Sequence, residues 1–365
     1  MLAGLVVTAC GGRASTGGGA RLPSAAPSST ERPTVGTPHN ATPPPARSGA
    51  ALAFDPVTTR LLLFGGATAA DQAHPPDSVR LADTWTWDGH TWTQVQPASS
   101  PPSLYGAVLV PDPQNHGLVL LSGSGSADPS GALLQEGSWT WDGQTWKRTA
   151  DNPLQMPFPA AAPDPVHHQI LLSGLDSGYP NVCGARTSVC PSLTPIDKPS
   201  AYVSNGTSWL PAAGQAPKWA GAGTAYDPMS RRVVSSGGAQ QTGLQSTYAW
   251  DGHQWQVLSQ SPSVNGVPDP SYPAGPCTAA TDAAAGQVVM VCSFTNNGTA
   301  VGATWTFDGT NWNRAQNANT PLPPILSLSL AYDPAVGAVV MVYPGSSGTE
   351  SMLMWNGNDW AAIPS

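Results

Sequence analysis

Thr84 to Val95 reads TWTWDGHTWTQV. Polar and aromatic residues alternate on both sides of Asp88-Gly89, the period-2 pattern of strands with two unlike faces. A tight hairpin turn needs φ > 0 at its centre, which an Asp-Gly or Asn-Gly pair supplies. The stretch therefore reads as a β-hairpin. The reading returns at 138–147 (SWTWDGQTWK), 201–210 (AYVSNGTSWL), 247–256 (TYAWDGHQWQ), 304–313 (TWTFDGTNWN) and 352–361 (MLMWNGNDWA). Each copy places a Trp three residues after the turn Gly.

A second hairpin precedes each of these. Residues 49–66 read GAALAFDPVTTRLLLFGG, and 221–238 read GAGTAYDPMSRRVVSSGG. A strand of small residues runs into Asp-Pro, a short connection follows, and then an apolar strand. Pro pre-sets φ for the turn and Asp accepts hydrogen bonds from nearby amides. Two hairpins make a four-stranded antiparallel unit. The turn glycines Gly89, Gly143, Gly206, Gly252, Gly309 and Gly357 recur at intervals of roughly 50 residues, the period of propeller blades. The expected fold is all-β: a six-bladed β-propeller of four-stranded antiparallel blades, preceded by a disordered linker. The first blade begins with a first strand and the last ends with a fourth, so the ring should close without a swapped strand.

The fourth-strand residues Trp92, Trp146, Trp209, Trp255, Trp312 and Trp360 read as fillers between blades. An aromatic of that size buries about 150–250 Å². The second strands, such as Leu61 to Phe64, are apolar on both faces, as strands covered on both sides must be. Trp85, Trp87, Trp139 and Trp141 could alternatively stack on sugars; the packing reading is preferred.

With Gly65-Gly66 and Gly237-Gly238 ending second strands and a Trp opening each fourth strand, the chain resembles the kelch-repeat, galactose-oxidase-like β-propeller family over residues 47–365. Four blades lack the Gly pair, which marks a divergent branch. The resemblance implies a fold, while the superfold hosts enzymes, lectin-like binders and scaffolds alike. Copper radical oxidases of this fold use two His and a Cys–Tyr crosslink; His90, His253, His167 and His168 all fall in hairpin turns, so that match fails. Thr86-Trp87-Asp88-Gly89-His90-Thr91-Trp92 approaches the Asp-box of sialidase-like propellers but lacks the residue between Asp and Gly.

The chain has 365 residues, 10% charged, with 39 Gly and 39 Pro. A net charge of −8 and only three lysines argue against nucleic acid as a partner. No apolar run of about 20 residues is present to span a membrane as a helix. Residues 1–10, MLAGLVVTAC, resemble the end of a bacterial lipoprotein signal, with Val7-Thr8-Ala9-Cys10 as a lipobox and Cys10 the lipidated residue. The short apolar run and the missing basic residue depart from that pattern. Residues 11–46 are Gly, Ser, Thr, Ala and Pro, a composition unable to form a core, and read as a tether. The propeller then occupies 47–365. The implied location is extracytoplasmic, on the cell membrane through the lipid anchor alone, as a monomer.

Cys10 aside, four cysteines remain. Cys277 and Cys292 fall opposite each other across the turn at Ala284-Ala285, and Cys183 and Cys190 share one loop. Disulfides 183–190 and 277–292 are expected, as suits an oxidising compartment. No metal site and no cofactor are expected: CxxC spacing and neighbouring His ligands are absent.

Long, unequal loops (67–82, 124–137, 175–200, 259–274 and 315–325) gather at one rim, where binding residues concentrate on a rigid scaffold. Trp219, Tyr179, Tyr272, Arg47, Arg186 and His74 are the candidate ligand contacts there. Aligned on the turn Asp, the column at the channel mouth is Arg47, Leu104, Met156, Trp219, Ala274 and Ile325, with one ionisable member. A glycosidase needs two placed carboxylates, and no catalytic residue is assigned. The six first-strand aspartates read as turn formers, with a calcium ring as the alternative. A non-enzymatic binding or scaffold module for a protein or glycan is the leading expectation, and an extracellular carbohydrate-active enzyme the alternative.

Overall fold

The computed structural model describes residues 43–68, 79–121, 137–151, 159–174, 201–206, 208–217, 221–237, 246–259, 263–264, 267–268, 277–296, 299–315, 322 and 328–363. These contain no helix. Six sheets carry the fold, each built on four antiparallel strands in chain order. Blade 4 gains a short fifth strand, Ala213–Gly214, which pairs parallel to Gln254–Ser259 at its outer edge. Blade 1 is Ala51–Asp55, Arg60–Phe64, Thr84–Trp87 and Trp92–Val95. Blades 2 to 6 occupy 108–151, 160–211, 223–259, 277–314 and 329–362. The first strand of each blade contacts the first strands of two other blades, and blade 6 returns to blade 1. The result is a closed six-bladed β-propeller with the first strands innermost.

Burial follows from that geometry. Leu61, Leu62 and Leu63 are fully buried, as are Val339, Val340 and Met341, because a second strand is covered on both faces. The apolar residues divide into six clusters, and each joins two neighbouring blades. Leu62, Leu120, Trp141 and Trp146 lock blade 1 to blade 2, and Val291, Val339, Trp355 and Trp360 lock blade 5 to blade 6. No blade owns a core of its own.

The fourth-strand Trp fills these interfaces in five blades; Trp209 of blade 3 stays half-exposed. Its indole N–H reaches back to the first residue of the preceding blade's turn hairpin. Trp146 donates to Thr84 Oγ1 at 3.0 Å, Trp312 to Thr247 Oγ1 at 2.9 Å and Trp360 to Thr304 Oγ1 at 2.9 Å. Blade 6 offers a thioether in that position, and Trp92 donates to Met352 Sδ at 3.2 Å. Blade 3 offers Ala201, and the buried Trp255 N–H is left without a partner. Blade 2 offers Ser138, whose buried hydroxyl is also unpaired.

The hairpin turns are built as expected. Asp88 Oδ1 accepts the amides of His90 and Thr91, and Asp142, Asp251 and Asp308 repeat the pattern. Burial pushes the Asp88, Asp251 and Asp308 carboxyls up, but these amides outweigh it and hold all three below the usual range. The turn glycines all have positive φ, and most also lie close against a neighbouring blade. Gly143 has φ +97°, and a Cβ there would lie 2.9 Å from Val57 Cγ1 on blade 1.

No strand is swapped at closure. Instead a strap ahead of blade 1 crosses the junction. Ala46 N donates to Gly348 O at 3.0 Å and Glu350 N to Pro44 O at 2.8 Å on blade 6. Arg47 and Ser48 then pair with Thr68 and Ala67. Residues 44–46, read as tether on composition, thus belong to the folded body, because their partners lie some 300 residues away and leave no local sequence pattern. Cys277 and Cys292 are directly opposed and disulfide-bonded. Cys10, Cys183 and Cys190 lie outside the described residues.

Candidate functional site

The inner strands run from one rim to the other around a central channel. Two cavities stack along it, sharing Leu52, Leu109, Ala161, Thr224, Ala279 and Leu330 in their walls. The one toward the loop rim measures about 160 Å³ and is walled by strand starts such as Gly49, Gly106, Gly221 and Cys277. The other, toward the hairpin rim, measures about 230 Å³. Small residues line the first because six strands converge there and leave no room for long side chains. Neither cavity is lined by a carboxylate, an imidazole or a cationic group.

Of the six loop-rim candidates, only Arg47 is described. Trp219, Tyr179, Tyr272, Arg186 and His74 lie outside the described residues, as does most of each long loop. Arg47 does not face a ligand space: it is 1% exposed. Its Nε donates to Pro45 O at 3.1 Å, its Nη1 to Gly65 O at 3.0 Å, and its Nη2 to Asp83 Oδ2 at 2.9 Å. Asp83 also accepts the Trp85 indole N–H at 2.6 Å. The guanidinium is thus used up inside the strap. The alignment column that placed it at the channel mouth could not show Asp83, which sits 36 residues further along the chain.

Glu350 completes this buried group. Its Oε1 accepts Arg47 N at 3.0 Å, while Oε2 has no hydrogen-bond partner. Burial drives its pKa up to about 8, and the Arg47 charge and amide only partly oppose that. Sequence reading passed over Glu350, since its partner lies at the opposite end of the chain.

The first-strand aspartates stand on the hairpin rim, as expected of turn formers. Asp55 accepts Val57 N, Thr58 Oγ1 and, across the blade junction, the Trp141 indole at 3.1 Å. Asp164 Oδ2 meets His167 Nδ1 at 2.8 Å, and the His167 and His253 rings stand 5.9 Å apart between blades 3 and 4. Among the described residues no three His, Cys, Asp or Glu side chains converge as a metal site would require.

No protein-family model and no curated protein matches the chain. Among solved structures it is similar to the GH74 xyloglucanase from Xanthomonas campestris, with TM-score 0.49 and 15% identity over 88% of this chain and 46% of that one. It is similar to a GH74 enzyme from Niastella koreensis, with TM-score 0.44 and 15% identity over 86% and 46%. It is also similar to the Trypanosoma rangeli sialidase in complex with the inhibitor DANA, with TM-score 0.46 and 10% identity over 86% and 56%. The chain spans under half the length of the two GH74 structures.

Proposed function

We propose that this protein is a non-enzymatic binding or scaffold propeller, held outside the cytoplasm by a lipid on Cys10, with a protein or glycan ligand on its long-loop rim. The chemistry of the channel carries the reading. Hydrolysis of a glycosidic bond needs two carboxylates on either side of the scissile bond, and the described channel wall offers only small, aliphatic, hydroxyl-bearing and aromatic residues. Ligand contact then falls to the rim loops, with Trp219, Tyr179, Tyr272, Arg186 and His74 as candidate contacts. The Cys277–Cys292 disulfide supports an oxidising compartment.

The test is a glycan array probed with the full chain, with product analysis of every retained sugar and membrane crosslinking in parallel. Retention without cleavage, lost in Trp219→Ala, is the expected glycan outcome; a single crosslinked protein is the expected protein outcome. Cleavage of a retained glycan would establish the carbohydrate-active alternative and refute the binding module.

A further inference from the structure

The cavity at the hairpin rim is walled in a way that the loop-rim reading does not use. One residue per blade closes it, always the one just before the turn aspartate: Phe54, Pro111, Pro163, Tyr226, Thr281 and Tyr332. All six are half-buried, whereas the residue on either side of each is buried in every blade. Three of the six are aromatic, and two are prolines. Phe54 and Tyr226 come from blades 1 and 4, opposite each other in the ring, and Tyr332 comes from blade 6 beside Phe54. Thr281 spends its hydroxyl on Tyr226 O at 2.6 Å. The phenol groups of Tyr226 and Tyr332 make no hydrogen bond among the described residues.

The charge around this mouth is one-sided. The hairpin turns of the rim contain eleven aspartates and, against them, only Arg60, Arg231 and Arg232. Most of the aspartates' bonds come from amides and hydroxyls of their own turns, while Asp55 also accepts the Trp141 indole and Asp164 meets the His167 ring. Like charges arranged around an axis sum to a negative potential along it. Aromatic faces add a negative quadrupole of their own. No cation lines the cavity to offset either. A bare metal ion does not fit, because no carboxylate reaches the wall to replace its water. An alkylated ammonium does fit: it is weakly hydrated, its methyl groups suit ring faces, and its charge suits the rim.

We propose that the hairpin-rim mouth of the channel binds a quaternary ammonium group, with Phe54, Tyr226 and Tyr332 packed around its methyl groups. The site lies on the rim opposite the proposed loop-rim ligand, so either can fail without the other.

Calorimetric titration of the full chain with choline, against its uncharged carbon isostere 3,3-dimethylbutan-1-ol, tests this. Choline is expected to bind at least about tenfold more tightly than the isostere, the margin that a desolvated cation–π contact supplies. Its affinity should fall as salt is raised. Tyr332→Leu should weaken binding by about tenfold, and Tyr332→Phe, which keeps the ring, should restore it to within about twofold. Equal binding of the two probes would overturn the proposal. So would the absence of heat at about 10 mM choline, or wild-type affinity in a folded Tyr332→Leu protein.

Discussion

Trp255 differs from its counterparts by the lack of one hydroxyl. Trp146, Trp312 and Trp360 each donate to a threonine on the preceding blade, and Ala201 stands where that threonine would be. An unmet buried donor costs about 1–3 kcal/mol, and a made hydrogen bond contributes about 1 kcal/mol net. Ala201→Thr is therefore expected to stabilise the protein by about 1 kcal/mol, read as a rise in the urea midpoint at unchanged slope. A lower midpoint would mean that the added methyl overpacks the Trp255 cluster. The outer-turn aspartates give a second expectation at this scale. Their carboxyls are held low, so their contribution is present above the unfolded carboxylate pKa and fades as the pH drops through the lower folded value. Asp308→Ala should therefore cost about 1 kcal/mol at neutral pH and progressively less in acid, measured by thermal melts across pH. Sequence alone placed the tryptophans and the turns, since both repeat in every blade. It could not show which hydroxyl each indole meets, because that contact joins one repeat to the previous one.

The strap is an element that only the folded ring reveals. Residues 44–48 bond to blade 6 on one side and pair with Thr68 and Ala67 on the other. Starting the chain at Gly49 rather than Pro43 removes Arg47 and leaves Asp83 without its cation and Glu350 without the Arg47 amide. A loss of about 3–5 kcal/mol is expected, the usual cost of stripping one partner from a buried ion pair, and equilibrium denaturation of the two chains measures it. Glu350 makes the strap pH-dependent. Its folded pKa of about 8 exceeds the ordinary value of 4.5, so folding takes up a proton between those limits. The stabilisation is complete below the unfolded pKa and is lost as the pH rises through the folded one. The wild type should lose up to about 5 kcal/mol between pH 4.5 and pH 8, and Glu350→Gln should flatten that slope. An equal slope in both proteins would assign the pH dependence elsewhere. Composition hid this element, since a Pro- and Ala-rich segment looks the same whether or not it has a partner.

At the scale of the molecule, each apolar cluster belongs to a pair of blades, so losing one blade opens two clusters. A chain ending at residue 315, before blade 6, is expected to show no cooperative unfolding transition, as followed by Trp fluorescence. A sharp transition would show that five blades form a stable open stack. The blade count, strand order and Cys277–Cys292 pairing were legible because repeats and register are carried by local pattern. The chemistry of the two channel mouths was not. It depends on which member of each inner strand is left half-exposed, and that is set by the curvature of a ring that no single repeat contains.

The unpaired Trp255 N–H and Ser138 hydroxyl have one more consequence. They stand on the two flanks of blade 3, whose own Trp209 is half-exposed. The junction where the first and last blades meet carries the strap and its ion pair instead. Considered as a hoop, the molecule carries an extra rivet at its join. Among the described residues the fourth-strand indole bond crosses four of the six junctions, and the two that it misses flank blade 3, in the middle of the chain.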